Sequence, residues 1–225
     1  MAEIRNMVST EMSITAGSVT LKGNLVIPQG ATALVIFSHG SGSSRFSPRN
    51  GYVAGLLQEN GFATLLVDLL TLEEDETREI HFDIDLLTDR LQAVAAFMQE
   101  YPPTRYLSVG MFGSSTGAAS ALRAAALLDG RVRAVVSRGG RPDLAEEALA
   151  QVAVPVLLIV GSLDFQVKAM NQSAYNKLRS ERKLVIVEGA THLFEETGKL
   201  EEVARLAVIW FKRYLAGHRA MHAEE

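Results

Sequence analysis

A chain of 225 residues with 48% hydrophobic and 21% charged side chains can bury the core of one α/β domain and has the composition of a soluble globular protein. Its formal net charge of −4 argues against a nucleic-acid partner, and its lack of cysteine excludes disulfides, cysteine metal ligands and thiol nucleophiles. The start, Met1-Ala-Glu-Ile-Arg-Asn6, has no apolar core of a signal peptide, and no apolar run approaches membrane-spanning length, so a cytoplasmic protein without a membrane partner is expected.

In chain order, Met12 to Thr15 and Val19 to Ile27 read as an antiparallel pair joined at Ala16-Gly17. Ala33 to Phe37 is a short, wholly apolar strand, the pattern of a parallel strand covered on both faces. Ser47 is a suitable N-cap for the next helix, Pro48 suits its first turn, and Asn60-Gly61 stops it. Ala63 to Leu69 is a strand. Leu87, Leu91, Val94, Ala95 and Met98 then mark one face of a helix ended by Pro102-Pro103.

The run Tyr106-Leu-Ser-Val-Gly-Met-Phe-Gly-Ser-Ser-Thr-Gly117 carries the chemistry. A strand stops at Gly113, Ser115 follows, and an Ala-rich helix begins at Gly117 and ends at Asp129-Gly130. G-x-S-x-G places its serine on a strained strand-to-helix turn with the hydroxyl above the sheet. Side chains two residues to either side would collide as the chain doubles back, which suits Gly113 and Gly117. Ser114 lies inside the motif but lacks this symmetric flanking.

Val132 to Val136 is a strand, and Asp143 with Glu146 predicts a capped helix through Ala150. Val154 to Val160 is a strand, Gln166 to Leu178 a helix and Leu184 to Val187 the last strand. Leu200, Val203, Leu206, Ala207, Trp210, Phe211 and Tyr214 form the apolar stripe of a terminal helix. No repeat, low-complexity segment or linker interrupts the chain, so one domain over 1–225 is expected. Alternating strands and helices imply a mostly parallel sheet with helices on both faces, and ligands at the carboxyl ends of the strands.

The loops at those ends hold the candidates. A serine nucleophile needs a base, usually histidine, oriented by a carboxylate. His192 follows the last strand in Glu188-Gly-Ala-Thr-His192, whereas His218 and His222 lie in or beyond the terminal helix. Asp164 follows a strand in Val160-Gly-Ser-Leu-Asp164 and is favoured over Asp143, which helix capping already explains. Oxyanion donors are expected at the Thr116 N–H and the Ser41 N–H, the latter in the glycine-rich loop Ser38-His-Gly-Ser-Gly-Ser-Ser44. His39 is read as holding the shape of that loop.

The His39-Gly40 loop, the elbow at Ser115, Gly161-x-x-Asp164 and Gly189-x-x-His192, in the order Ser, Asp, His, resemble the α/β-hydrolase superfamily over almost the whole chain. The compact, lidless form is similar to the dienelactone hydrolase-like branch. The resemblance implies an eight-stranded sheet whose second strand is antiparallel. Dienelactone hydrolases proper use a cysteine nucleophile, absent here, so the inference is a serine esterase of carboxylesterase type.

Lids in this superfamily usually follow the strand matching Val132 to Val136, and Ser137 to Pro155 has room only for one helix and two loops. The open site is expected to be walled by Phe46, Leu70, Leu163, Phe165 and Leu193 and to take a small, short-acyl ester. Arg45, Arg49, Arg138 and Arg141 are placed in loops at the same end, and Glu73, Glu74, Asp75, Glu76 and Glu79 in another. These charges are read as paired or solvated, with Arg45 or Arg138 binding a substrate carboxylate as the sharper alternative. The Gly110-Met-Phe-Gly113 stretch lacks G-x-G-x-x-G spacing and no G-x-x-x-x-G-K-[ST] occurs, so no nucleotide cofactor and no metal are expected. A thioesterase, peptidase or acyltransferase on the same residues, and a silent binding protein of the same fold, are the competing readings.

Overall fold

The computed structural model describes residues 7–128 and 130–215. His218 and His222 therefore lie outside the described residues, as does Asp129. Eight strands form one sheet in the order β1-β2-β4-β3-β5-β6-β7-β8. They are β1 (Met7–Ala16), β2 (Val19–Pro28), β3 (Ala33–Ser38), β4 (Phe62–Val67), β5 (Ser108–Ser114), β6 (Val132–Arg138), β7 (Val156–Gly161) and β8 (Arg182–Val187). Only β2 runs against its neighbours, as the resemblance implied.

Burial follows position in the sheet. The central strands β3, β4, β5 and β7 are buried along their whole length, because helices cover both faces. The edge strand β1 alternates exposed and buried residues, since one of its faces meets water. It begins at Met7, earlier than Met12. The antiparallel register pairs Met7 with Pro28, so the hairpin itself extends the strand through residues too polar to read as one.

The helices are α1 (Pro48–Glu59), α2 (Leu72–Asp75), α3 (Ile84–Glu100), α4 (Gly117–Leu127), α5 (Phe165–Lys177) and α6 (Lys199–Leu215). On one face α3, α4 and α5 pack Leu91, Val94, Leu122 and Ala174 against Ile36, Leu65, Met111 and Leu158. On the other, α1 and α6 pack Val53, Leu57, Ala207 and Phe211 against Phe37, Phe112, Val136 and Ile159. The stripe expected on α6 is the buried one, with Leu200, Leu206 and Tyr214 at its half-buried margins.

Two segments depart from expectation. The residues after β6 form a 3₁₀ segment, Pro142–Gln151, broken at Glu146, whose φ of 50° leaves the helical region. Asp143 does not cap it but accepts from Arg141 Nε at 2.9 Å and Nη2 at 2.7 Å. The acidic stretch is not an open loop. Thr71 caps α2 in a reciprocal box with Glu74, and a 3₁₀ segment, Arg78–Phe82, follows.

Candidate active site

β5 delivers Ser115 to the carboxyl edge of the sheet. Its φ is 51°, a left-handed conformation that costs a non-glycine residue energy and that surrounding structure must hold in place. The clamp is visible. The Ser115 N–H donates to Arg138 O at 3.2 Å, and the Ser115 carbonyl accepts from Arg141 N at 2.9 Å and Ala118 N at 3.1 Å. The flanking glycines are required sterically. A Cβ on Gly113 would lie 2.4 Å from Ala118 Cα, and one on Gly117 would lie 2.2 Å from Ser38 O.

β7 ends at Gly161 and presents Asp164 at the first turn of α5, where its side chain makes no capping bond. It is instead joined to His192 from the loop after β8: His192 Nδ1 and Asp164 Oδ2 are 2.6 Å apart. The carboxylate is largely buried, with 14% of its side chain exposed, whereas the imidazole retains 38%. An ionised carboxylate only accepts, so Nδ1 carries the proton in this pair and Nε2 is left as the acceptor nitrogen of the ring. Gly139, next to the carbonyl that holds Ser115, touches the imidazole: a Cβ there would sit 3.5 Å from His192 Nδ1. Elbow and imidazole thus share the end of β6. Among the described residues the Ser115 hydroxyl has no hydrogen-bond partner; bonds of this kind often tighten only around substrate.

The loop after β3 meets the elbow. The Ser41 N–H donates to Thr116 Oγ1 at 2.9 Å, so it is engaged rather than open. His39 hydrogen-bonds through Nδ1 with the Gly40 carbonyl at 3.0 Å, as expected of a residue that shapes the loop. His81 was not singled out in the sequence. Its Nε2 lies 3.0 Å from Asp75 Oδ1, and its Nδ1 lies 3.5 Å from Ser41 Oγ. An isolated histidine in an acidic stretch carries no spacing that would reveal this.

The arginines separate. Arg45 is paired with Asp68 and its guanidinium stacks 4.3 Å from the Phe46 ring centroid, so it is not a free carboxylate receptor. Arg49 lies in the first turn of α1 rather than in a loop, and binds Glu195 at 2.7 Å. Arg138 also lies on a strand, not in a loop, and is only 7% exposed. Among the described residues its Nε and Nη1 are sealed without a hydrogen-bond partner. Burial, reinforced by the Arg49 charge, presses its pKa down to about 10. That leaves it charged at neutral pH, behind the elbow rather than in an open pocket.

The apolar wall falls into two groups. Phe46 and Leu70 line a cavity of about 840 Å³ that also takes in His39, Arg45, Asp68 and Glu73. Leu163, Phe165 and Leu193 stand exposed around the Asp164–His192 pair. Among the described residues no cluster of side chains could hold a metal ion, and no helix is long and apolar enough to cross a membrane.

An eight-stranded sheet of this order, a serine elbow after β5 and a paired aspartate and histidine after β7 and β8 define the α/β-hydrolase fold. The PET hydrolase-like family model matches residues 96–221, more than half of the sequence, and the chain belongs to that family. Similarity extends to a solved dienelactone hydrolase from Anabaena variabilis, 54% identical, with a TM-score of 0.91 over 93% of this chain and 99% of that one. Est1E from Butyrivibrio proteoclasticus is 19% identical with a TM-score of 0.77, over 90% of this chain and 98% of its own, and shares the fold. Two Mycobacterium tuberculosis proteins, 52% identical over 207 residues, carry the name phosphoribosyl transferase. The match takes in 92% of this chain but 47% of theirs, so the chain spans about half the length of those relatives.

Proposed function

We propose that the protein is a serine hydrolase that cleaves small, short-acyl carboxylic esters through an acyl-enzyme. The observation that carries this reading is the Asp164–His192 pair at 2.6 Å beside a serine held at φ 51° on an elbow. His192 Nε2 takes the Ser115 proton as Oγ attacks the ester carbonyl. The oxyanion forms against the Thr116 N–H and the Ser41 end of the β3 loop. The C–O bond to the alcohol breaks as Nε2–H returns the proton to the leaving oxygen. Water, deprotonated by the same nitrogen, then attacks the acyl-Ser115 carbonyl, releasing the acid and regenerating the hydroxyl. Asp164 holds the imidazole in one tautomer and stabilises its charged form.

A screen of p-nitrophenyl esters of graded acyl length, alongside thioester and anilide analogues, tests the substrate class. Ester turnover exceeding both analogues supports the reading; thioester or anilide preference transfers it to a thioesterase or peptidase on the same residues. The M. tuberculosis proteins are named for a transferase, but this chain spans only 47% of their length, so that name supports no activity for it.

A further inference from the structure

We propose that the Thr116 hydroxyl is itself an oxyanion donor, polarised from behind by the Ser41 N–H. This rests on the serine-hydrolase reading above and goes beyond it. In the usual arrangement, two backbone N–H groups point at the oxyanion: that of the residue after the nucleophile and one from the loop after β3. Here the second is engaged. Ser41 N donates to Thr116 Oγ1 at 2.9 Å, and the acceptor belongs to the residue that follows the nucleophile.

A hydroxyl that accepts a hydrogen bond still has its own proton to give. That proton cannot point back at the Ser41 N–H. Among the described residues Thr116 Oγ1 has no other partner, and the Thr116 N–H, ahead of the first turn of α4, has no backbone acceptor. Thr116 therefore presents two unspent donors, N–H and O–H, one residue from Ser115. Ser41 and Thr116 also line a small cavity of about 10 Å³, together with His39, Gly40, Leu70, Asp75 and His81.

The competing picture is that Thr116 rotates away and uncovers the Ser41 N–H. Burial opposes it. Thr116 is 2% exposed, and its β-branched side chain would have to bring its methyl group or empty space against the Ser41 N–H. A fixed hydroxyl keeps that N–H satisfied in the free and the reacting enzyme. An acceptor bond also strengthens the donor on the same oxygen, because linked hydrogen bonds polarise one another.

The test is Thr116→Val, which replaces the hydroxyl with a methyl group of similar size, beside Thr116→Ser, which restores it. On p-nitrophenyl butyrate, Thr116→Val is expected to lower kcat by about 10²–10³, the usual cost of one oxyanion donor, with little change in KM. Affinity for butylboronic acid, which forms a tetrahedral adduct on the serine, falls by a similar factor. Thr116→Ser stays within about tenfold of the parent on both measures. A loosened loop would instead raise KM and lower Tm together with kcat, and that pattern would overturn the proposal. Unchanged or higher kcat with unchanged boronate affinity would also overturn it, showing the hydroxyl to be a plug. If Thr116→Val does not fold, Thr116→Ala is read by the same criteria. Ser115→Ala separates the two claims. An inactive Ser115→Ala with an unimpaired Thr116→Val removes only this inference, whereas an active Ser115→Ala removes the serine reading beneath it.

Discussion

Asp164 and Asp143 both follow strands, but what holds them differs. Asp164 reaches His192, while Asp143 is gripped by Arg141 two residues away. Asp164→Asn is expected to leave the fold intact and cut kcat by roughly 10⁴, because an amide would leave His192 in the wrong tautomer. Asp143→Asn removes only a part-exposed ion pair and leaves kcat within a factor of about two. Steady-state rates on one p-nitrophenyl ester decide it, and the reverse ranking would move the acid to the end of β6. Ser115, Asp164 and His192 were legible because each sits just past an apolar run that ends abruptly, with glycine at a fixed offset. The bond between Ser41 N and Thr116 Oγ1 joins residues 75 positions apart, and Arg138 is buried at the end of β6. Neither leaves a periodic trace. Arg45 is paired with Asp68, in line with the paired or solvated reading and not with its alternative of a receptor at Arg45 or Arg138.

At the level of elements, the acidic stretch was expected in a loop but forms α2 and a 3₁₀ segment. Five carboxylates in seven residues look like a solvated run, yet Glu74 is tied to α3. Arg90 donates to it through Nη1 at 2.6 Å and Nη2 at 2.5 Å, and Arg90 also reaches Leu69 O at 2.8 Å. The Arg90 guanidinium holds the Glu74 carboxyl well below its ordinary value of 4.5, at about 2. A carboxylate whose folded pKa is depressed contributes stability that is fully present above its unfolded pKa and lost as pH falls through the folded one. The bond from α2 to α3 should therefore weaken between about pH 4.5 and pH 2. Glu74→Gln is expected to lower Tm at neutral pH and flatten the acid limb across that window. Thermal melts from pH 7 to pH 2 check this; parallel curves for parent and variant would refute it. The elbow makes a second demand on its elements. Gly117→Ala sets a methyl group 2.2 Å from Ser38 O, so β3 or α4 must shift, and both Tm and activity should fall. A fully active, equally stable variant would show that the elbow has slack the close approach denies.

The whole molecule sets what can bind. The segment after β6 is a short 3₁₀ stretch rather than a cap, and the acidic segment is pinned by Glu74 to Arg90, with His81 at the edge of the site 3.5 Å from Ser41 Oγ. Phe46, Leu163, Phe165 and Leu193 are exposed and few. Each further CH₂ contributes about 0.8 kcal/mol only while apolar wall remains to cover it. Specificity should peak at acyl chains of about two to six carbons and then fall. A steady rise in kcat/KM to long-chain esters would mean that a segment folds over the site as a lid. Intact-mass measurement and peptide mapping after treatment with a fluorophosphonate show whether Ser115 is the nucleophile on the α/β-hydrolase elbow. One adduct per chain is expected, on Ser115, absent from Ser115→Ala, with ester hydrolysis lost in step with labelling. An adduct on Ser114 or Ser41, or full ester turnover by Ser115→Ala, would contradict it.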